Sequence, residues 1–97
     1  MLNPTPPHVL CDAGGHPYFL WDCDVTLEQF RGFLRDPDPG VRDFWLGTLV
    51  RQAKPDDVLS LVSAAEIRAA WPRIAYIVGR ERPFWEWYIA RVARLGD

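Results

Sequence analysis

The chain has 97 residues, of which 48% are hydrophobic and 25% charged, and this composition is typical of one small folded domain. The net charge of −2 argues against nucleic-acid binding, which usually requires a strongly basic face. No apolar run reaches the roughly 18 residues that span a bilayer, and no signal-peptide pattern begins the sequence, so we expect a cytoplasmic protein with no membrane contact. Two cysteines are too few for a secreted disulfide framework.

Charge is distributed unevenly along the sequence. Residues 1–38 hold six acids against two arginines, whereas residues 73–97 hold five arginines against three acids. Charge polarity of this kind favours docking to a charged protein partner, or self-association into a homo-oligomer, over contact with nucleic acid.

The beginning of the chain has the composition of an irregular segment. Residues 1–17 hold four of the nine prolines and two glycines. We therefore predict an extended aromatic arm over residues 1–16, followed by a helical domain over residues 17–97. Tyr18, Leu20 and Trp21 are expected to pack this segment onto the helices, with the Trp21 indole buried. Residues 1–15 supply little apolar surface, so we expect that their removal leaves the fold intact.

Capping signals predict where the first two helices begin. Thr26 and Gln29 form a T-x-x-Q capping box, which predicts a helix from Leu27 that stops before Pro37. Asp38 followed by Pro39 predicts a second helix. Its apolar side is expected to contain residues at helical spacing: Val41, Phe44, Trp45, Thr48, Leu49 and Gln52.

Three more helices are predicted in the second half. Pro55 opens a short helix over Asp56 to Val62, and the Ser63 and Glu66 capping box starts the next helix at Ala64. Pro72 should interrupt that helix. Residues 73–79 fit either a strand or a helix, and helix is favoured because no second strand is available. The last helix begins at Pro83 and ends before Gly96, and its apolar stripe contains Phe84, Trp85, Tyr88, Ile89, Val92 and Leu95. The predicted fold class is therefore all-α, a small array of about five helices preceded by the extended Pro/Gly-rich aromatic arm.

The sequence has few features of a metal, cofactor or catalytic site. His8, Cys11, His16 and Cys23 lie within 16 residues, but only His8 and Cys11 have the close spacing typical of zinc ligands, so no metal site is predicted. No glycine-rich phosphate loop or third carboxylate accompanies Asp22 and Asp24, so no cofactor is predicted. Both histidines lie in the arm, which disfavours a catalytic relay, and we expect a non-enzymatic protein.

Two groups of residues are candidates for partner binding. Asp22 and Asp24 either cap or flank the helix that begins at Leu27, or they form an acidic contact surface together with Glu28. On the last helix, the outward residues are expected to be Trp87, Arg91 and Arg94, and exposed Trp and Arg are enriched at protein interfaces. The same helix also has the composition of a surface on which nucleic-acid bases stack, a reading that its apolar stripe disfavours.

Three segments of the chain resemble a known group of proteins. These are PYFLWDCDVTLEQFRGFLRD, DFWLGTLVRQAKPDDVLSLVSAAEIRAAWP and FWEWYI. Over roughly residues 16–90 they resemble small uncharacterised bacterial proteins that are encoded beside abortive-infection type nucleotidyltransferase toxins. The resemblance implies a protein-interaction module with an antitoxin-like role towards a nucleotidyltransferase toxin. The alternative is a small DNA-binding transcriptional regulator that uses residues 64–71 in a DNA groove, although Arg68 is the only basic residue there.

Overall fold

A computed structural model describes residues 2–94, with side chains up to residue 92, and the fold is all-α as predicted. Five helices longer than one turn lie in this range, together with one single-turn helix in the arm. In chain order the helices are α1 Pro7–Leu10, α2 Leu27–Phe33, α3 Pro39–Gln52, α4 Pro55–Leu61, α5 Ala64–Val78 and α6 Arg82–Arg94. Short 3-10 turns occur at Tyr18–Leu20 and Gly79–Glu81. The predicted positions of Leu95 and Gly96 lie outside the described residues.

Three of the predicted helix starts, at Leu27, Pro39 and Ala64, are confirmed in atomic detail, whereas α4 and α6 begin one residue earlier than predicted. Gln29 N–H donates to Thr26 Oγ1 at 3.1 Å, and Thr26 N–H donates to Gln29 Oε1 at 2.9 Å. Ser63 and Glu66 make the same reciprocal pair. Asp38 accepts from the N–H of Gly40 at 2.8 Å with Pro39 at the first helical position. Each of these side chains satisfies a backbone donor that has no partner inside the helix.

The predicted interruption at Pro72 is wrong, because α5 continues through it from Ala64 to Val78. Proline in a helix interior costs roughly 3 kcal/mol. The buried side chains of α5 repeat at intervals of three and four residues on both sides of Pro72, which is itself exposed. They are Ile67, Ala70, Ile74 and Val78. Burial of each large side chain contributes roughly 1.5–3 kcal/mol, so the packed face offsets the cost of the proline.

α3 and α5 pack side by side and run in the same direction. Arg73 bonds Asp43 at 2.7 Å, and one turn further along both helices Ile77 lies against Gly47. A Cβ atom at Gly47 would lie only 2.9 Å from the Ile77 side chain, so glycine permits the close approach of the two helices. The short helix α4 returns the chain between these parallel neighbours. None of the helices within residues 2–94 is long and apolar enough to cross a membrane.

The arm differs from the prediction in two ways. It is not extended throughout, since Pro7–Leu10 form one helical turn. After the arm, Tyr18–Leu20 form a 3-10 turn in which Phe19 and Leu20 are almost completely buried. Trp21 comes after this turn and is 70% exposed, so the expectation of a buried indole is wrong. The expectation assumed an extended packed segment, whereas the tight turn directs only its middle and last side chains into the core.

Two aromatic residues predicted on apolar stripes are also exposed. Phe44 belongs to a helix that is apolar on several sides, and the side facing the core contains Leu46, Leu49, Val50 and Ala53. Phe84 lies at the surface of α6, where its ring stacks on that of Tyr88 at 6.1 Å. Trp85, which follows Phe84, is 1% exposed and belongs to the core as predicted. A helix with adjacent aromatic residues cannot bury all of them against one core.

Candidate partner-binding surface

The arm is attached to the helical domain through a buried carboxylate that the sequence analysis did not single out. Asp57 lies in the first turn of α4 and is 2% exposed. It accepts hydrogen bonds from the backbone N–H of Thr5 at 2.7 Å and from the Thr5 hydroxyl at 2.7 Å. It also accepts one from the hydroxyl of Tyr18 at 2.6 Å, while that hydroxyl accepts from Lys54 N–H at 2.8 Å. These contacts hold the arm to the start of α4.

The protonation behaviour of this network follows from its geometry. Burial raises the pKa of the Asp57 carboxyl, but the hydrogen bonds donated by Tyr18 and Thr5 outweigh burial, so the pKa is lowered overall. Burial, together with the hydrogen bond to Asp57, raises the pKa of Tyr18 to about 12. Asp57 is therefore a carboxylate and Tyr18 a neutral donor at neutral pH, which are the charge states that the hydrogen bonds require.

A second contact joins the end of the arm to the segment before α2. Asp12 Oδ1 accepts from the backbone N–H groups of Gly14 and His16 at 2.9 Å each, in a turn where Gly15 has φ of 83°. The His16 ring lies between two carboxylates, with Nδ1 3.2 Å from Asp12 and Nε2 2.6 Å from Asp24. The hydrogen bonds to Asp24 and then to Asp12 raise the pKa of His16. This turn and clamp fix the position of Asp24.

A cleft of about 710 Å³ opens beside this clamp, and we refer to it as the acidic cleft. Its lining includes Asp12, Asp22 and Asp24 as well as both cysteines and Trp21. Burial raises the pKa of Cys11 and of Cys23, so both remain thiols at neutral pH and are weak nucleophiles. His8 is not part of the lining. Within residues 2–94, no three His, Cys, Asp or Glu side chains are grouped so that they would hold a metal ion.

A second cleft, of about 410 Å³, is also lined by Trp21. We refer to it as the arginine cleft, because Arg51 from the end of α3 and Arg80 from the turn after α5 line it together with Glu81. Both arginines are exposed, and neither guanidinium group makes an ion pair or hydrogen bond in the described part of the chain. Trp21 therefore lines both a cleft rich in carboxylates and one that carries two guanidinium groups.

The candidate residues on α6 form a separate surface. Trp87 is 54% exposed, as predicted, and the Arg91 guanidinium lies 5.8 Å from its ring centre. That distance is within the range of a cation–π contact. The side chain of Arg94 lies outside the described residues. Within residues 2–92, no hydrogen bond or ring contact connects Trp87 or Arg91 with the acidic cleft.

The structure groups the acidic candidates only in part. Asp22 and Asp24 line the same cleft, whereas Glu28 is an exposed residue in the first turn of α2 and does not line that cleft.

Sequence reasoning did not identify Arg51 and Arg80 as site residues. They are 29 positions apart in the sequence, and only the packing of α3 beside α5 brings them to one cleft. On α5, the helix of the DNA-binding alternative, Arg73 is bonded to Asp43.

No known protein family, curated protein or solved structure matches this chain. The resemblance to proteins encoded beside toxins therefore stays a prediction that rests on the sequence motifs. Function has to be inferred from the exposed side chains and the charges around them.

Proposed function

We propose that this chain is a non-enzymatic protein-interaction module. The proposal depends on one observation, which is that two indoles lie in solvent beside arginines. Trp21 borders the cleft of Arg51 and Arg80, and Trp87 is within cation–π distance of Arg91. Trp and Arg are the residue types that most often carry the binding energy of a protein interface. A domain this small gains nothing for its own stability by leaving such large apolar side chains uncovered.

The chemistry of the acidic cleft also favours binding over catalysis. A histidine acting as a general base needs one ring nitrogen that is free to accept a proton from a substrate. In His16 both nitrogens already contact carboxylates, and these contacts favour the protonated ring. The thiols of Cys11 and Cys23 have raised pKa values, so neither is activated as a nucleophile. The His16 ring and its two carboxylates therefore bind one another, and no ring nitrogen is left to accept a proton from a substrate.

For the identity of the partner, the sequence resemblance supports a nucleotidyltransferase toxin, with this chain as its cytoplasmic antitoxin. DNA binding has less support, because Arg73 of α5 is neutralised by Asp43 and the clefts around Trp21 carry several carboxylates. An antitoxin that acts by contact restrains its toxin stoichiometrically. The protein should therefore bind the nucleotidyltransferase encoded by the adjacent gene and reduce its activity as the molar ratio approaches one.

The test is a calorimetric titration of the purified protein into the purified product of the adjacent gene. We expect a complex with a dissociation constant of about 1 µM or tighter, which corresponds to roughly 8 kcal/mol of binding free energy. In parallel, nucleotidyl transfer by that enzyme is measured with increasing amounts of the protein, and duplex DNA replaces the enzyme in a control titration. Absence of heat with the enzyme, combined with saturable binding to DNA, would contradict the proposal and favour the regulator alternative.

A further inference from the structure

Trp21 is presented to solvent from a rigid base. The two residues before it, Phe19 and Leu20, are 0% and 1% exposed and belong to the core. The carbonyl oxygen of Phe19 also accepts a hydrogen bond from the Gln52 side chain of α3. The indole therefore projects from a fixed backbone, and ordering it in a complex costs little conformational entropy. Rigid aromatic anchors of this kind are typical of the central residue of a protein interface.

The two clefts that Trp21 lines carry uncompensated charge of opposite sign. In the acidic cleft, Asp12 and Asp24 already share the His16 ring between them. In the arginine cleft, Arg51 and Arg80 have no acidic partner within the described residues, and Glu81 is the one acid in the lining. The acidic cleft, with Asp12, Asp22 and Asp24 against His16, has an excess of negative charge. The arginine cleft has two guanidinium groups against one carboxylate, so its excess charge is positive. A partner that covers the arginine cleft has to supply carboxylates, since burial of an unpaired guanidinium is strongly unfavourable.

The exposed surface beside Arg51 extends along α3. Phe44 is seven residues before Arg51 in the same helix, so the two side chains lie on the same side of it. Phe44 is 53% exposed. An interface of standard size buries about 800 Å² on each partner, which is more than one indole provides. Trp21, Arg51, Arg80 and Phe44 together offer aromatic surface and hydrogen-bond donors over a wider area.

We propose that Trp21, Arg51 and Arg80 form the docking surface for the partner protein, and that the partner presents an apolar socket for the indole bordered by carboxylates. This inference rests on the proposed interaction function and specifies the chemistry of the partner. The planar guanidinium groups bind carboxylates through paired N–H···O hydrogen bonds, which fixes orientation as well as adding affinity. Trp87 and Arg91 on α6 lie outside this docking surface.

The experiment compares two sets of matched variants in the same calorimetric titration with the product of the adjacent gene. Trp21→Ala should weaken binding at least about 30-fold, which is the loss that defines a hot-spot residue. Trp87→Ala, the control at the other exposed indole, should stay within about twofold of wild type. Arg51→Glu and Arg80→Glu should each weaken binding about tenfold or more, whereas Arg91→Glu should not. Thermal melts should be unchanged for Trp21→Ala, because its side chain is already exposed.

Each result bears on a different conclusion. If wild type binds, and Trp87→Ala or Arg91→Glu weakens the complex while Trp21→Ala does not, the docking surface is on α6 and this inference is wrong, although the proposed function stands. If Arg51→Glu strengthens binding, the partner is basic and the inference is again wrong. If wild type forms no complex with the enzyme, the proposed function fails and the inference fails with it.

Discussion

The hydroxyl of Tyr18 donates a 2.6 Å hydrogen bond to Asp57, 39 residues further along the chain. The bond joins the 3-10 turn that follows the arm to the first turn of α4, where the helix dipole also favours a carboxylate. Thr5 of the arm bonds the same carboxylate. The same hydroxyl accepts from Lys54 N–H. Tyr18 thus satisfies a buried acceptor and a backbone donor at once, and the arm is a structural part of the domain.

Tyr18→Phe should therefore destabilise the fold by about 1–3 kcal/mol. The substitution keeps the ring but removes the donor to Asp57 and the acceptor for Lys54 N–H. The free energy of unfolding is measured by chemical denaturation. Tyr76→Phe is the matched control, because Tyr76 is 80% exposed, and it should change the stability by less than about 0.5 kcal/mol. Equal effects of the two substitutions would show that the Asp57 network contributes little.

Gly47→Ala should destabilise the packing of α3 against α5. The added Cβ would lie 2.9 Å from three carbon atoms of Ile77, so the helices would have to separate, and overpacking of this kind costs about 1–3 kcal/mol. Gly32→Ala in α2 is the control, since no atom lies within 4 Å of its added Cβ. That control should stabilise the protein by about 0.5–1 kcal/mol, because alanine favours the helix more than glycine does. Similar gains from both substitutions would exclude close helix contact at Gly47.

Ser63→Ala should cost about 1 kcal/mol. The substitution removes the oxygen that accepts from Glu66 N–H at 3.1 Å and leaves that donor without its cap at the start of α5. Ser63→Asp keeps an acceptor at the same position and should retain most of the stability. Thermal melts of the two variants provide the comparison. A loss in both would mean that residue 63 acts through something other than the cap.

The helix starts could be predicted because capping depends on residues within one turn. Thr26 with Gln29, and Ser63 with Glu66, determine their helix ends through side chains three positions apart. The predicted interruption at Pro72 is wrong because the local preference of proline opposes a helix that tertiary packing stabilises. Capping patterns and helix propensities predict a helix correctly where only neighbouring residues determine it. They fail where packing against distant segments contributes more free energy than the local preference.

The site was less predictable, because its geometry depends on contacts between distant segments. Asp57 has the sequence features of an ordinary acid in a first helical turn, and its bonds to Thr5 and Tyr18 depend on where the arm lies. The exposure of Trp21 depends on a 3-10 turn that no capping or spacing pattern marked. In contrast, Trp87 was correctly placed outside, because helical periodicity from Trp85 directly determines which residues of α6 face away from the core.

The clamp around His16 should make the attachment of the arm sensitive to pH. A neutral imidazole has one N–H, so it can donate to only one of the two carboxylates, Asp12 or Asp24. The pKa of His16 is raised by both, so its contribution to stability is fully present below the unfolded value of about 6.5 and is lost as pH rises through the higher folded pKa. The pKa of Asp12 is lowered, mainly by the backbone N–H of His16. Its contribution is present above its unfolded value and is lost as pH falls through the lower folded pKa.

The arm should therefore be held most firmly in mildly acidic solution. Leu27 N–H reports on this, because it donates to the carbonyl oxygen of Gly15 in the arm turn at 2.9 Å. We expect the protection of this amide against hydrogen exchange to decrease as pH rises past the folded pKa of His16. His16→Gln should abolish this pH dependence, whereas His8→Gln removes the other histidine and leaves the clamp in place. An unchanged pH profile in His16→Gln would show that the two carboxylates do not depend on the His16 charge to hold the arm.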